Sequence, residues 1–153
     1  MGIIITELLE KEGHLLKDVV CDNWEELVDI VAAPLISEKV VEPQFVDSAK
    51  DAIRQFGGYV VLIDDIAIFH GSPEAGVHEL ALTLALLKRP VYISEKRITV
   101  AFLLAAVDNK SHRGLLKELS LFFNDDESLE ILRKREDLDA ILNKFKEVEG
   151  LKT

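Results

Sequence analysis

The chain has 153 residues, 48% of them hydrophobic, which sets the expectation of one compact domain over residues 1–153 with a substantial core. Its formal net charge of −10 argues against nucleic acid or an anionic membrane as partner and suits a partner with a basic docking face. The single cysteine, Cys21, excludes an internal disulfide and any multi-cysteine metal site.

Residues 3–10 read as a short helix and 14–20 as a short extended segment. Glu7, Glu10 and Lys11 follow the opening apolar residues too soon for a secretory signal, and no apolar stretch reaches spanning length. The chain therefore reads as cytoplasmic, without membrane insertion. Asn23 has the chemistry of an N-cap, and Glu25 and Glu26 place carboxylates in the first turn, where the helix dipole favours them. Trp24, Leu27, Val28 and Val31 follow at helical spacing. Pro34 lacks the N–H that a helix interior needs, which predicts a kink or an end near it. Pro43 suits the first turn of a second long helix, carried by Phe45, Val46, Ala49, Ile53 and Phe56 and stopped at Gly57 and Gly58.

The middle of the chain is richer in strand patterns. Residues 59–63 and 66–69 are short apolar runs separated by Asp64 and Asp65, which have turn chemistry. Residues 80–87 and 98–107 are longer runs, as expected for strands covered on both faces. The stretch 80–87 is also compatible with helix, since Thr83 is its one β-branched residue. Helical spacing returns over 111–123, 126–134 and 136–148, with Asp125 as cap of the second of these. Helices first, strands in the middle and helices last predict an α/β sandwich: one mixed, mainly parallel sheet flanked by helices.

Two histidines stand at the ends of apolar runs. His70 closes Ile66-Ala67-Ile68-Phe69 and is followed by Gly71, Ser72 and Pro73; a glycine there permits close approach of a ligand. His112 lies near a helix start in Asp108-Asn109-Lys110-Ser111-His112, where backbone amides attract anions. Pattern alone leaves open whether His70 merely ends its strand, and whether His112 is an exposed helix residue. His14 and His78 lack comparable context and read as surface residues. A zinc site on His70, His78 and His112 has no supporting HExxH or His-x-His spacing. No G-x-S-x-G elbow, P-loop or dinucleotide fingerprint occurs. An exposed imidazole with anion-binding neighbours is itself suited to be a nucleophile, with phosphate as the natural electrophile.

Residues 66–70 with Pro73-Glu74-Ala75-Gly76-Val77, then Leu103-Leu104-Ala105-Ala106-Val107-Asp108-Asn109-Lys110-Ser111-His112, resemble the enzyme IIA component of the sugar phosphotransferase system, in its mannitol/fructose-type superfamily. The second segment looks most like the ascorbate-type branch and the IIA-like domains of transcriptional regulators. The resemblance implies a mixed sheet between helices and a role as phosphoryl carrier. In that role His70 accepts the group from phospho-HPr and passes it to a cysteine of enzyme IIB, which serves a membrane IIC transporter, with no cofactor and no metal. His112 would hydrogen-bond the phosphoryl oxygens, with Arg54, Ser72 and Gly71 as further phosphate contacts. Arg54 matches by spacing an arginine that mannitol-type members use near the phosphoryl group. The alternative is a regulatory IIA-like domain, or a diverged paralogue, whose phosphorylation controls protein interactions. The chain departs from the family at Phe69 (usually proline), at Asp65 (often glycine) and at Gly71-Ser72 (often Ala-Arg).

Overall fold

Period-two alternation along the strands sorts the apolar side chains into two cores, one on each face of a single sheet. The computed structural model describes residues 5–61 and 63–150. Within them β1 (Leu15–Val19), β2 (Asp65–His70), β3 (Ala81–Ile93) and β4 (Lys96–Ala105) form one sheet in the order β1-β3-β4-β2. β1 runs parallel to β3, and β2 parallel to β4, while β3 and β4 make an antiparallel hairpin. The sheet is thus mixed and mostly parallel, in agreement with the sequence reading.

Helices α2 (Trp24–Ser37) and α3 (Pro43–Phe56) cover one face, where Leu27, Val31, Phe45, Ala49 and Ile53 pack with Ala67, Phe69, Ala101 and Leu103. The other face is covered by α1 (Ile5–Leu9), α4 (Asn109–Phe123), α5 (Asp126–Lys134) and α6 (Leu138–Gly150). There Leu115, Leu119, Phe122, Leu132 and Phe145 pack with Ile66, Ile68, Leu84, Phe102 and Leu104. The rings of Phe122 and Phe145 stack with centroids 3.8 Å apart. Lys144 joins α6 to the start of α5, its Nζ lying 3.5 Å from Asp125, 3.1 Å from Glu127 and 3.2 Å from Glu147.

Local chemistry sets the helix ends. The Asn23 side chain accepts the Glu26 N–H at 2.9 Å, Pro43 opens α3, and Asp125 accepts the Ser128 N–H at 3.1 Å. Gly57, at φ 61, ends α3. Pro34 leaves one carbonyl of α2 without its helical donor, and the helix closes one turn later with the Glu38 N–H on the Pro34 carbonyl at 3.0 Å. Of the expected helix over 3–10, residues 3 and 4 lie outside the described residues, and α1 spans the remainder to Leu9.

One strand reading changes. Residues 59–63 do not form a strand: Gly57–Val60 make a 3-10 turn, and Ile63 bridges only to Ile66. Leu62 lies outside the described residues. The apolar character of this run has another cause, since Val60 and Val61 plug the core beneath α2 and α3. The longer run at 80–87 is strand from Ala81, as read, and not the helix it was also compatible with; β3 continues to Ile93 through a break in register between Leu86 and Val91. That break accommodates exposed Lys88, Arg89 and Pro90, because a bulged segment does not require the proline's missing donor. Asp65, where the resembled family often has glycine, sits at φ 73, a backbone region that favours glycine. Its carboxylate is held by the Arg97 guanidinium at 3.0 Å, at the opposite end of β2 from His70.

Phe69 is fully buried against α3, so Phe69→Ala is expected to lower the unfolding free energy by about 3–5 kcal/mol. Chemical denaturation checks this: the midpoint falls while the denaturant slope stays at the parent value.

Candidate functional site

Because β2 and β4 run parallel, both end at one edge of the sheet, with His70 opposite Leu104. Alternation puts His70 on the side of Ile66 and Ile68, the face that α4 covers. Beyond β4, Asp108 starts α4 by accepting the Ser111 N–H on its side chain at 2.7 Å. His112 therefore falls one turn into the helix. The His70 and His112 rings meet edge to face, centroids 5.1 Å apart and planes inclined by 67°.

Both imidazoles are half-buried, and neither ring nitrogen has a hydrogen-bond partner among the described residues. Burial, and then the like charge of His112, holds the His70 pKa below the ordinary histidine value. His112 is lowered in turn by burial and by the Arg113 guanidinium. A deprotonated ring, the form that carries a free lone pair, is thereby favoured at His70.

The two rings line a cleft of about 440 Å³ together with Ser48, Asp51 and Gln55 of α3, Gly71 and Ser72 after β2, and Asn109 of α4. A second hollow of about 420 Å³ adjoins His70 on the side of Ala52, Phe56, Tyr59 and Val60. Phe56 and Tyr59 are 55% and 76% exposed, so this side of the rim is aromatic.

The other sequence-predicted residues take distinct places. Gly71 lines the cleft and packs closely against α3. A Cβ there would lie 2.5 Å from Ser48 Oγ and 2.9 Å from the Phe45 carbonyl oxygen. Ser72 also lines the cleft, with its hydroxyl donated to Glu74 at 2.8 Å and its N–H to Ser48 Oγ at 3.1 Å. Arg54 is absent from the lining: it pairs with Asp51 at 3.0 Å and sits 5.8 Å over the Trp24 ring. The amide end of α4 is also partly engaged, since Asp108 takes the Ser111 N–H that an anion would otherwise use.

His14 is not a surface residue. It is fully buried, with Nδ1 3.0 Å from the Leu82 carbonyl and Nε2 2.8 Å from a Glu38 carboxylate oxygen. His78 is exposed, as read, and faces Glu42 at 2.8 Å. No group of three or more metal-ligating side chains is assembled among the described residues. Sequence reasoning passed over Ser48, Asp51 and Gln55, although their i, i+3, i+7 spacing marks one polar stripe along α3. Asn109 stood inside a recognised segment without a role.

The family model described as "Phosphoenolpyruvate-dependent sugar phosphotransferase system, EIIA 2" matches residues 7–148. The ascorbate-specific phosphotransferase system EIIA component of Escherichia coli (strain K12) is 33% identical over 129 residues, covering 78% of this chain and 83% of that one. Among solved structures, the mannitol-specific cryptic phosphotransferase enzyme IIA CmtB of Escherichia coli superposes with a TM-score of 0.80 at 22% identity, covering 95% of this chain and 97% of that one. Enzyme IIA of the Escherichia coli mannitol system, solved in complex with phosphorylated enzyme IIB, superposes with a TM-score of 0.77 at 18% identity, over 88% and 95% of the two chains. These last two establish a shared fold.

Titration of the imidazole resonances by NMR is expected to place both His70 and His112 below the unfolded-chain value of about 6.5. In His112→Ala, loss of the like charge and of part of the covering ring moves the His70 midpoint upward. Since the unfolded chain then binds more protons than the folded one, the pair's contribution to stability is kept above about pH 6.5 and lost as pH falls through the folded-state values. An unmoved His70 midpoint in the variant would contradict the coupling.

Proposed function

The chain belongs to the EIIA 2 family of the phosphoenolpyruvate-dependent sugar phosphotransferase system, and on that premise we propose that His70 is the phosphoryl acceptor of a cytoplasmic carrier. The observation that carries this reading is the contact between His70 and His112 in the cleft lining, with both rings free of hydrogen bonds among the described residues. A neutral His70 nitrogen directs its lone pair at the phosphorus of phospho-HPr. The new N–P bond forms as the donor's N–P bond breaks, and the donor ring keeps the electron pair on its freed nitrogen. His112 donates a hydrogen bond to a phosphoryl oxygen and offsets charge as it develops. In the second half, a cysteine thiolate of enzyme IIB attacks the same phosphorus, an S–P bond replaces the N–P bond, and His70 is regenerated.

The kinship with an ascorbate-specific component supports ascorbate uptake as the process served, through IIB and a membrane IIC transporter. An acidic chain of net charge −10 suits a basic face on the donor protein. A second reading starts from the same acceptor histidine. In that reading the phosphoryl group added to His70 changes a protein contact rather than feeding transport. Onward transfer to a IIB cysteine separates the two.

Incubation with phosphoenolpyruvate, enzyme I and HPr is expected to give an acid-labile phosphate that disappears in His70→Ala. His112→Ala still labels, about 10- to 100-fold more slowly. Acceptance falls as pH drops through the His70 midpoint, which burial and His112 hold below the ordinary histidine value, because protonation removes the lone pair. An absence of labelling with cognate HPr would sink the reading.

A further inference from the structure

A phosphoryl group on His70 brings close to two negative charges into a cleft whose lining supplies no cation. The surrounding donors can be accounted for one by one. Ser48 donates its hydroxyl to the Phe45 carbonyl at 2.8 Å, and the Ser72 hydroxyl and N–H are both engaged. Arg54 is held by Asp51 and by the Trp24 ring outside the lining. Asp51 is itself a carboxylate and offers the phosphate only repulsion. Two side chains remain. Gln55, in the last turn of α3, and Asn109, the first residue of α4, both line the cleft and have no side-chain partner among the described residues. Each carboxamide carries two N–H donors.

Resting on the carrier reading of His70, we infer that Gln55 and Asn109 are phosphate-binding residues. One comes from each helix flanking the cleft, and together their carboxamides take the place of a guanidinium on the transferred group. The ligand class is a phosphoryl monoester-like dianion on nitrogen, and its oxygens accept from Gln55 Nε2, Asn109 Nδ2 and His112. Neutral donors fit this position for a physical reason. They stabilise the charge on the oxygens without adding a positive charge beside His70, where it would lower further the proton affinity of a ring already facing His112.

The test uses the whole chain with two phosphoryl donors: phospho-HPr, and phosphoramidate as a small-molecule donor that needs no docking surface. Gln55→Ala and Asn109→Ala are each expected to slow acceptance from both donors about tenfold, and the double variant more than either. The ³¹P resonance of the phosphohistidine shifts in each variant, a readout that a merely structural change would leave in place. Both residues are exposed, so thermal melts match the parent. Placing a cation directly in the loop, by Ser72→Arg in the double variant, restores a large part of the rate. A double variant that accepts phosphate at the parent rate, with an unshifted ³¹P resonance, overturns this inference and leaves the carrier reading standing. A parent chain that labels from neither donor overturns both.

Discussion

Because β2 and β4 pair in parallel, from Ile66 opposite Val100 to His70 opposite Leu104, both strands end at one edge of the sheet and their successors meet there without a long loop. β4 is an inner strand, held by β3 on its other side, so this register is fixed from two directions. A slip of one residue would turn His70 toward α3 and push Phe69 into the α4 face. The burial of Phe69 at one side of β2 and the presentation of His70 at the other are therefore one constraint. Asp108 completes it by fixing the first turn of α4, and with it the height at which His112 enters the cleft.

Much of this was legible in the sequence, because the signals were local. Asn23, Pro43, Gly57 and Asp125 each act on a neighbouring backbone group, so their types alone place helix ends. The alternation at 66–69 gives a strand and, with it, a histidine at the strand's end. What escaped was set by tertiary packing. Val60 and Val61 look like strand residues yet serve as core plugs. His14 carries no motif, and its burial depends on Leu82 and Glu38, far off in the chain. The close packing at Gly71 involves Ser48 and Phe45, neighbours that its own local sequence does not name.

The substitution of Phe69 for the family's usual proline also becomes intelligible. β2 is an edge strand, the setting in which a sheet tolerates proline. The aromatic ring at that position contributes burial that proline would not, against Phe45 and Ala49 on α3. The residue thus fastens the strand that carries His70 to the helix that carries Ser48, Asp51 and Gln55. Packing at 69 and geometry at 70 are coupled through one peptide bond.

The absence of a cation from the cleft lining bears on how firmly a phosphoryl group would be held. A unit positive charge about 4 Å from a unit negative charge contributes about 4 kcal/mol at an effective dielectric of about 20. Spent on the bound phosphoryl group alone, that energy would slow its departure by about a thousandfold, at 1.4 kcal/mol for each factor of ten. A relay needs the opposite balance, with enough stabilisation to accept the group and little enough to release it. In the proposed site, neutral carboxamides and a neighbouring imidazole would hold the oxygens with less energy each. For the proposed carrier, serine rather than arginine at position 72 would therefore favour release, and the cost would fall on acceptance, where His112 would offset most of the developing charge.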